Sequence, residues 1–196
     1  MAGLAAWQSL FDLAGLSAGQ KILIHGSAGG LGHYAVQYAR WKGAFVIGTA
    51  AAKDAAFVKE LGADEVVDYQ KTRFEDVVKD ADVVFDVIGG ETQERSWQIL
   101  KRGGVLVSSV GITSAHRAGE LGVRAEALLV RSDASQLAQI AGLIDAGIVR
   151  PRVQTVMPLS DAAQAHKLLQ AGKVHGKLVL KVGGQASHTM LSREEK

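Results

Sequence analysis

The sequence predicts a doubly wound α/β fold: a parallel six-stranded sheet with helices on both faces, followed by a strand–helix–strand extension. Three observations carry the prediction. Short runs rich in Val and Ile recur through the first 130 residues, separated by crossover-length segments, several with helical spacing. The strongest runs, at 21–25, 82–88 and 105–110, are nearly continuous in apolar residues, as strands are when helices cover both faces. The first run ends in a glycine-rich elbow, Ser27-Ala-Gly-Gly-Leu-Gly32, that opens a helical pattern.

The elements follow in order. Residues 2–14 place Leu4, Trp7, Leu10 and Phe11 at helical spacing, and Gly15 ends the pattern. The first strand, 21–25, lies between Gly19 and Gly26, and residues 31–41 return to helical spacing through Leu31, Tyr34, Ala35 and Tyr38. A strand at 44–49 and a helix at 54–61, closed by Gly62, come next. Then follow a short strand at Glu65–Asp68, a short helix at 73–78 and a β-branched strand at 82–88. Residues 93–100 read as helix, 105–110 as a strand entered through Gly103 and Gly104, and 111–125 as a polar loop. The sixth strand is expected at 127–130, before an amphipathic helix at 133–145 closed by Gly147. Strand, helix and strand are expected at 152–157, 160–171 and 177–182. The chain thus divides into a sheet unit at 1–148 and an extension at 149–183. The tail at 184–196 lacks periodicity and is expected to be disordered.

Composition excludes several classes of function. With 196 residues, 47% of them hydrophobic, the chain can bury a core of one domain, or one domain and a fragment. Its 22 basic and 20 acidic residues are scattered and sum to +2, without the concentrated basic patch of a nucleic-acid or membrane-surface protein. Cysteine is absent, which excludes disulfides and cysteine–zinc sites and fits a reducing compartment. The opening segment carries no positive leader, and Gln8, Ser9 and Asp12 interrupt its apolar run; no stretch approaches the ~20 apolar residues that span a bilayer. The expected location is the cytoplasm. The six histidines (His25, His33, His116, His166, His175 and His188) show no ligand spacing, so no metal site is expected. His25 and His33 read as packed or hydrogen-bonded residues.

The elbow admits two readings, a structural tight turn and a dinucleotide site. In Ser27–Gly32 the glycines occupy the second and third places of G-x-G-x-x-G, with Ser27 in the first. Gly29 lets backbone approach a pyrophosphate, Gly32 lets helix pack on strand, and the helix N-terminus offers free N–H groups and partial positive charge. A Walker loop needs Lys and Ser/Thr after the last glycine, but His33 and Tyr34 stand there. Tyr38 and Lys42 match a YxxxK pattern only by letter, because they lie inside the helix that the elbow opens. At the end of the second strand, where an NAD site places a carboxylate, the chain reads Gly48-Thr49-Ala50-Ala51-Ala52-Lys53. Small residues followed by a lysine leave room for a 2′-phosphate and a charge to meet it. Lys53 as a mere solvated helix start is the other reading.

These residues, with Leu61-Gly-Ala-Asp-Glu-Val-Val-Asp-Tyr69, Asp86-Val-Ile-Gly-Gly90 and Leu100-Lys-Arg-Gly-Gly104, resemble the medium-chain dehydrogenase/reductase superfamily. The nearest branch is the zinc-independent, zeta-crystallin-like NADPH:quinone oxidoreductases, whose cofactor domain is of Rossmann type. The resemblance implies that Ser27, Ala28, Gly29, Gly30 and Leu31 hold the pyrophosphate of NADP(H), with Thr49 at the strand end beside them. Lys53 and Tyr69 would flank the 2′-phosphate. Ile88, Gly89, Val110 and Gly111 would line the nicotinamide side, and Leu128, Leu129 and Val130 would offer backbone to the carboxamide. It further implies hydride transfer to a quinone or conjugated carbonyl, with no acid or base nameable here. Family members begin with a barrel domain carrying most of the catalytic pocket, whereas here the elbow comes some twenty residues from the start. The expectation is therefore a partner domain or a second copy, covering apolar surface around Val153, Val156, Leu178 and Leu180. A non-catalytic dinucleotide module remains the alternative.

Overall fold

The computed structural model describes residues 1–172 and 174–183. The N-terminal helix α1 (Ala2–Trp7) widens into a π-helical turn at Gln8–Leu13. Then strand and helix alternate: β1 (Lys21–Ile24), α2 (Gly32–Trp41), β2 (Phe45–Ala50), α3 (Ala55–Glu60), β3 (Glu65–Asp68), α4 (Phe74–Val77), β4 (Ala81–Asp86) and α5 (Gly90–Ser96). They are followed by β5 (Leu100–Ser108), α6 (His116–Leu121), β6 (Arg124–Ala127) and α7 (Ala134–Asp145). The extension adds β7 (Val153–Pro158), α8 (Ala162–Gln170) and β8 (Lys177–Lys181).

The six strands lie in the order β3-β2-β1-β4-β5-β6, every neighbouring pair parallel. This is the doubly wound Rossmann arrangement expected from the sequence. Ile22, Leu23 and Ile24 of β1 have no exposed surface, and each such side chain contributes about 1.5–3 kcal/mol by burial. Alternation within β1 sends Ile22 and Ile24 to the core on one face and Leu23 to the core on the other. The first core packs α1, α2 and α7 through Leu4, Tyr38 and Ile140; the second packs Phe74, Trp97 and Ile99.

Two expectations need correction. The sixth strand is Arg124–Ala127, three residues before the expected one, and α6 lies inside the expected loop. As an edge strand β6 pairs only with β5, from Val105↔Arg124 to Ser108↔Ala127, and it tolerates Arg124 and Glu126. The apolar run 128–130 falls beyond the ladder, whose closing bond runs from Leu128 N–H to Ser108 O at 2.8 Å. In the extension, β7 and β8 form a separate two-stranded parallel sheet. Val153 and Val156 are exposed as expected, but Leu178 and Leu180 are half-buried and Val179 is exposed in their place. Successive side chains on a strand point to opposite faces, and β8 turns its leucines inward. The tail at 184–196 lies outside the described residues.

Candidate functional site

The chain leaves β1 toward β2 and β3 on one side, while β4 leads to β5 and β6 on the other. A crevice must open at the C-terminal ends of β1 and β4, where these connections part. The elbow stands at its rim. Gly26 has φ +61°, a left-handed conformation that favours glycine. Ser27 is fully buried and points away from the crevice: its N–H and its hydroxyl both donate to Thr49 O, at 3.1 and 2.8 Å. It locks the end of β1 to β2. A Cβ on Gly32 would lie 2.2 Å from Gly26 O and 2.6 Å from Ser27 Cα, so α2 can begin against the elbow only with glycine there. The N–H groups of Ala28, Gly30 and Leu31 have no hydrogen-bond acceptor among the described residues.

A cation from the far end of the chain completes this rim. Gly176 N–H donates to Ala28 O at 2.9 Å, which brings Lys177 over the elbow. A Cβ on Gly30 would lie 2.5 Å from Lys177 Nζ. The ammonium is half-buried, burial lowers its pKa, and it makes no ion pair among the described residues. Below it, His33 Nδ1 lies 2.9 Å from Gly29 O and therefore donates to it. Burial lowers the His33 pKa and the Gly29 bond raises it, while the nearby Lys177 charge lowers it further; the net shift is downward.

The crevice is a cleft of about 550 Å³. Ala28 and Gly29 form its rim, Thr49, Ala50 and Ala51 one wall, and exposed Tyr69 the outer end, while buried Phe74 packs on the His25 ring at 4.7 Å. Ile88, Thr92 and Arg95 line the opposite wall, and Gly172, Val174 and His175 of the extension close over it. Lys53 is exposed on a 3₁₀ turn (Ala52–Asp54) and does not line the cleft; Asp54 does. His175 Nε2 stands 2.7 Å from Asp54 Oδ1, close enough for an ion pair but without hydrogen-bond alignment, and its ring stacks on Phe57 at 5.9 Å.

The cleft floor is a buried polar assembly. Asp86, at the end of β4 and without exposed surface, accepts from Ile88 and Gly89 N–H on Oδ1, and from Gln93 Nε2 and Ser108 Oγ on Oδ2, all at 2.8–2.9 Å. Burial raises its pKa, but those four donors outweigh it and hold the carboxyl below its ordinary value. His25 lies beside it, with Nε2 2.9 Å from Ser96 Oγ and Nδ1 3.2 Å from Thr49 Oγ1. Because Ser96 donates to Thr92 O, it accepts from His25 Nε2–H, and Nδ1 accepts from Thr49. Burial first of all pushes the His25 pKa down to about 4. Both residues are structural supports of the cleft and stay in one charge state near neutrality.

The expected nicotinamide residues divide. Ile88 lines the cleft, and Gly89 lies against Val110, where a Cβ would be 3.0 Å from Cγ2. Val110 and Gly111 follow the end of β5. Leu128, Leu129 and Val130 form an arch past β6 rather than a strand; Leu129 is 92% exposed and Val130 packs on the core. Sequence reasoning missed Lys177, His175 and Arg95. Only Asp86 left a signal, as a charge inside the apolar run 82–88. Among the described residues no group of three or more His, Asp or Glu could hold a metal ion, and no helix is long and apolar enough to cross a membrane.

Fold, elbow and cleft define a dinucleotide-binding unit of the Rossmann class. A profile of the family described as zinc-binding dehydrogenase matches residues 61–180, and the chain belongs to that family, within the medium-chain dehydrogenase/reductase superfamily. The solved quinone oxidoreductase of Coxiella burnetii is 36% identical with a TM-score of 0.88, over 93% of this chain and 59% of that one. A mycobacterial protein solved with NADPH is 27% identical with a TM-score of 0.81, over 93% and 62% of the two chains. The 2-haloacrylate reductase of a Burkholderia species is 30% identical over 91% of this chain and 60% of its own length. The chain therefore spans about 60% of the length of these relatives.

Proposed function

We propose that the chain binds NADP(H) along this cleft and forms the cofactor-binding part of a zinc-independent reductase of quinones or conjugated carbonyls. One observation carries the reading: three N–H groups of the elbow without an acceptor among the described residues, the start of α2 and the Lys177 ammonium converge on one rim, an arrangement suited to a pyrophosphate. The uncharged end of β2, Ala50 and Ala51, leaves room for a 2′-phosphate; Tyr69 lines that end, and Lys53, exposed on the adjoining turn outside the lining, would have to swing in to meet it. The solved relative in complex with NADPH supports the choice of cofactor. When bound, the nicotinamide supplies a hydride. The chain's own part is to orient: Ser27 and Thr49 fix the elbow, Asp86 fixes the turn carrying Ile88 and Gly89, and the apolar lip of Ile88 and Val110 excludes water.

The acceptor would be a small quinone or enone, seated partly on a further domain or a second copy against the exposed face of β7 and β8. The absence of cysteine supports a reducing compartment such as the cytoplasm. Fluorescence titration with NADPH and NADH tests the cofactor. Lys177→Ala is expected to weaken both, and Lys53→Ala to weaken NADPH alone, by about ten- to hundredfold for a charge-assisted contact. Equal affinities untouched by either substitution would refute the reading. NADPH oxidation with a quinone then separates the reductase from a non-catalytic module, which would bind without turnover.

A further inference from the structure

One buried polar assembly belongs neither to the cleft nor to the apolar core. Gln8 opens the π-helical turn, a widening of the helix that often marks a functional position. It is 3% exposed, yet every polar atom of its amide is engaged. Nε2 donates to Arg131 O at 2.9 Å and Oε1 accepts from Arg131 N–H at 3.0 Å, so the side chain pairs with that peptide as a neighbouring strand would. Nε2 also donates to Gln136 Oε1 at 2.8 Å. Asp12, four residues on, accepts from Arg131 Nη2 at 3.0 Å and from Gln136 Nε2 at 2.9 Å.

The clasped residue ends the 128–131 arch. Its other end is held by the Leu128 N–H to Ser108 O bond, and Val130 packs on the core. Between these anchors stands Leu129, and the β5–β6 register places the arch level with residues 109–111, of which Val110 lies against Gly89, next to the cleft-lining Ile88. An apolar residue at position 8 would fill the same space without the desolvation cost of an amide. What the amide adds is a fixed height and orientation for the arch.

We propose that Gln8 is a positioning residue for the nicotinamide end of the cofactor: it sets the backbone of Leu128–Val130 at the distance the carboxamide requires. This rests on the reading that the cleft takes NADP(H). It also gives the N-terminal helix a part in the site, although Gln8 touches no cofactor.

The test compares two ligands, NADPH and 2′-phospho-ADP-ribose, which shares the adenosine, 2′-phosphate and pyrophosphate but lacks nicotinamide. Gln8→Met keeps the volume and removes both hydrogen bonds to the Arg131 backbone, with the one to Gln136. It is expected to weaken NADPH about tenfold while 2′-phospho-ADP-ribose stays within about twofold. Gln8→Glu keeps one bond but sets a carboxylate oxygen against Arg131 O and Gln136 Oε1, so it should weaken NADPH at least as much as Gln8→Met; Gln8→Leu serves if Gln8→Met folds poorly. Arg131→Ala removes the ion pair but leaves the clasped backbone, and should leave the ratio of affinities unchanged. Equal weakening of both ligands, or no change in either, would overturn the proposal. Failure of the parent protein to bind either ligand would overturn the cofactor reading, and the proposal with it.

Discussion

Replacing Gly32 by alanine adds one methyl group where there is no space. The new carbon would stand 2.2 Å from Gly26 O, 2.6 Å from Ser27 Cα and 2.8 Å from Gly26 C, all backbone atoms of the elbow. A carbon and a carbonyl oxygen sit in contact at roughly 3.4 Å, so either α2 or the elbow must withdraw by about 1 Å. Overpacking of this kind costs about 1–3 kcal/mol. For a chain of this size that is a fall in Tm of about 3–10 °C. The displaced elbow would also mispoint the N–H groups of Ala28, Gly30 and Leu31, so NADPH affinity should fall at least tenfold. Gly30→Ala is the comparison: its severe clash is with the flexible end of Lys177, 2.5 Å from Nζ and 3.0 Å from Cε, and its one close backbone neighbour, Gly176 O at 3.3 Å, needs to give only a few tenths of an ångström. That lysine can swing aside, so Tm should hardly change while affinity for NADPH and NADH drops together. Differential scanning calorimetry and fluorescence titration read both. An unchanged Tm and unchanged affinity in Gly32→Ala would refute the packing argument.

Other outcomes follow from the buried polar groups. His25 has a folded pKa of about 4 against an unfolded value of 6.5, so the unfolded chain takes up the proton first as pH falls. Stability should therefore decline from about pH 6.5 downward, by about 2 kcal/mol at pH 5, and urea unfolding of His25→Gln should show a shallower decline. Asp86 behaves oppositely in range: its depressed pKa contributes stability that is present above the ordinary carboxylate value and lost only in stronger acid. Asp86→Asn presents an amide to donors from Gln93 and Ser108 and should cost about 1–3 kcal/mol at pH 7, measured by chemical unfolding. His175→Ala removes the imidazole that stands 2.7 Å from Asp54 Oδ1 and opens that carboxylate to the cleft. The ratio of NADPH to NADH affinity should then fall severalfold at low salt, and an unchanged ratio would mean that Asp54 does not face the 2′-phosphate.

Much of this architecture was legible because the sheet is buried on both faces. β1, β4 and β5 declare themselves as apolar runs, and the elbow glycines mark where backbone must approach backbone. β6 escapes a reading by apolar pattern because an edge strand has no need of one, while Leu128–Val130, which has one, lies past the ladder. Lys53 looked like the cleft's cation from its place in the chain, but the 3₁₀ turn directs it outward and brings in Asp54. Lys177 and Gln8 left no local trace. Gln8 meets its partner across 123 positions, and Lys177 reaches the elbow only because Gly176 bonds to Ala28. Contacts set by topology cannot be read from spacing.

The order of the strands also bears on how the chain is made. β1 sits at the middle of the finished sheet, yet its second neighbour, β4, begins only at Ala81. During synthesis β1, β2 and β3 can pair as a half-sheet while the other flank of Ile22–Ile24 waits, its peptide groups open to any extended segment nearby. At roughly 5–20 residues per second that interval lasts several seconds. A translational pause between β3 and β4 would lengthen it, and a pause after β4 would not. The innermost strand of the folded protein is, in the nascent chain, its most adhesive margin.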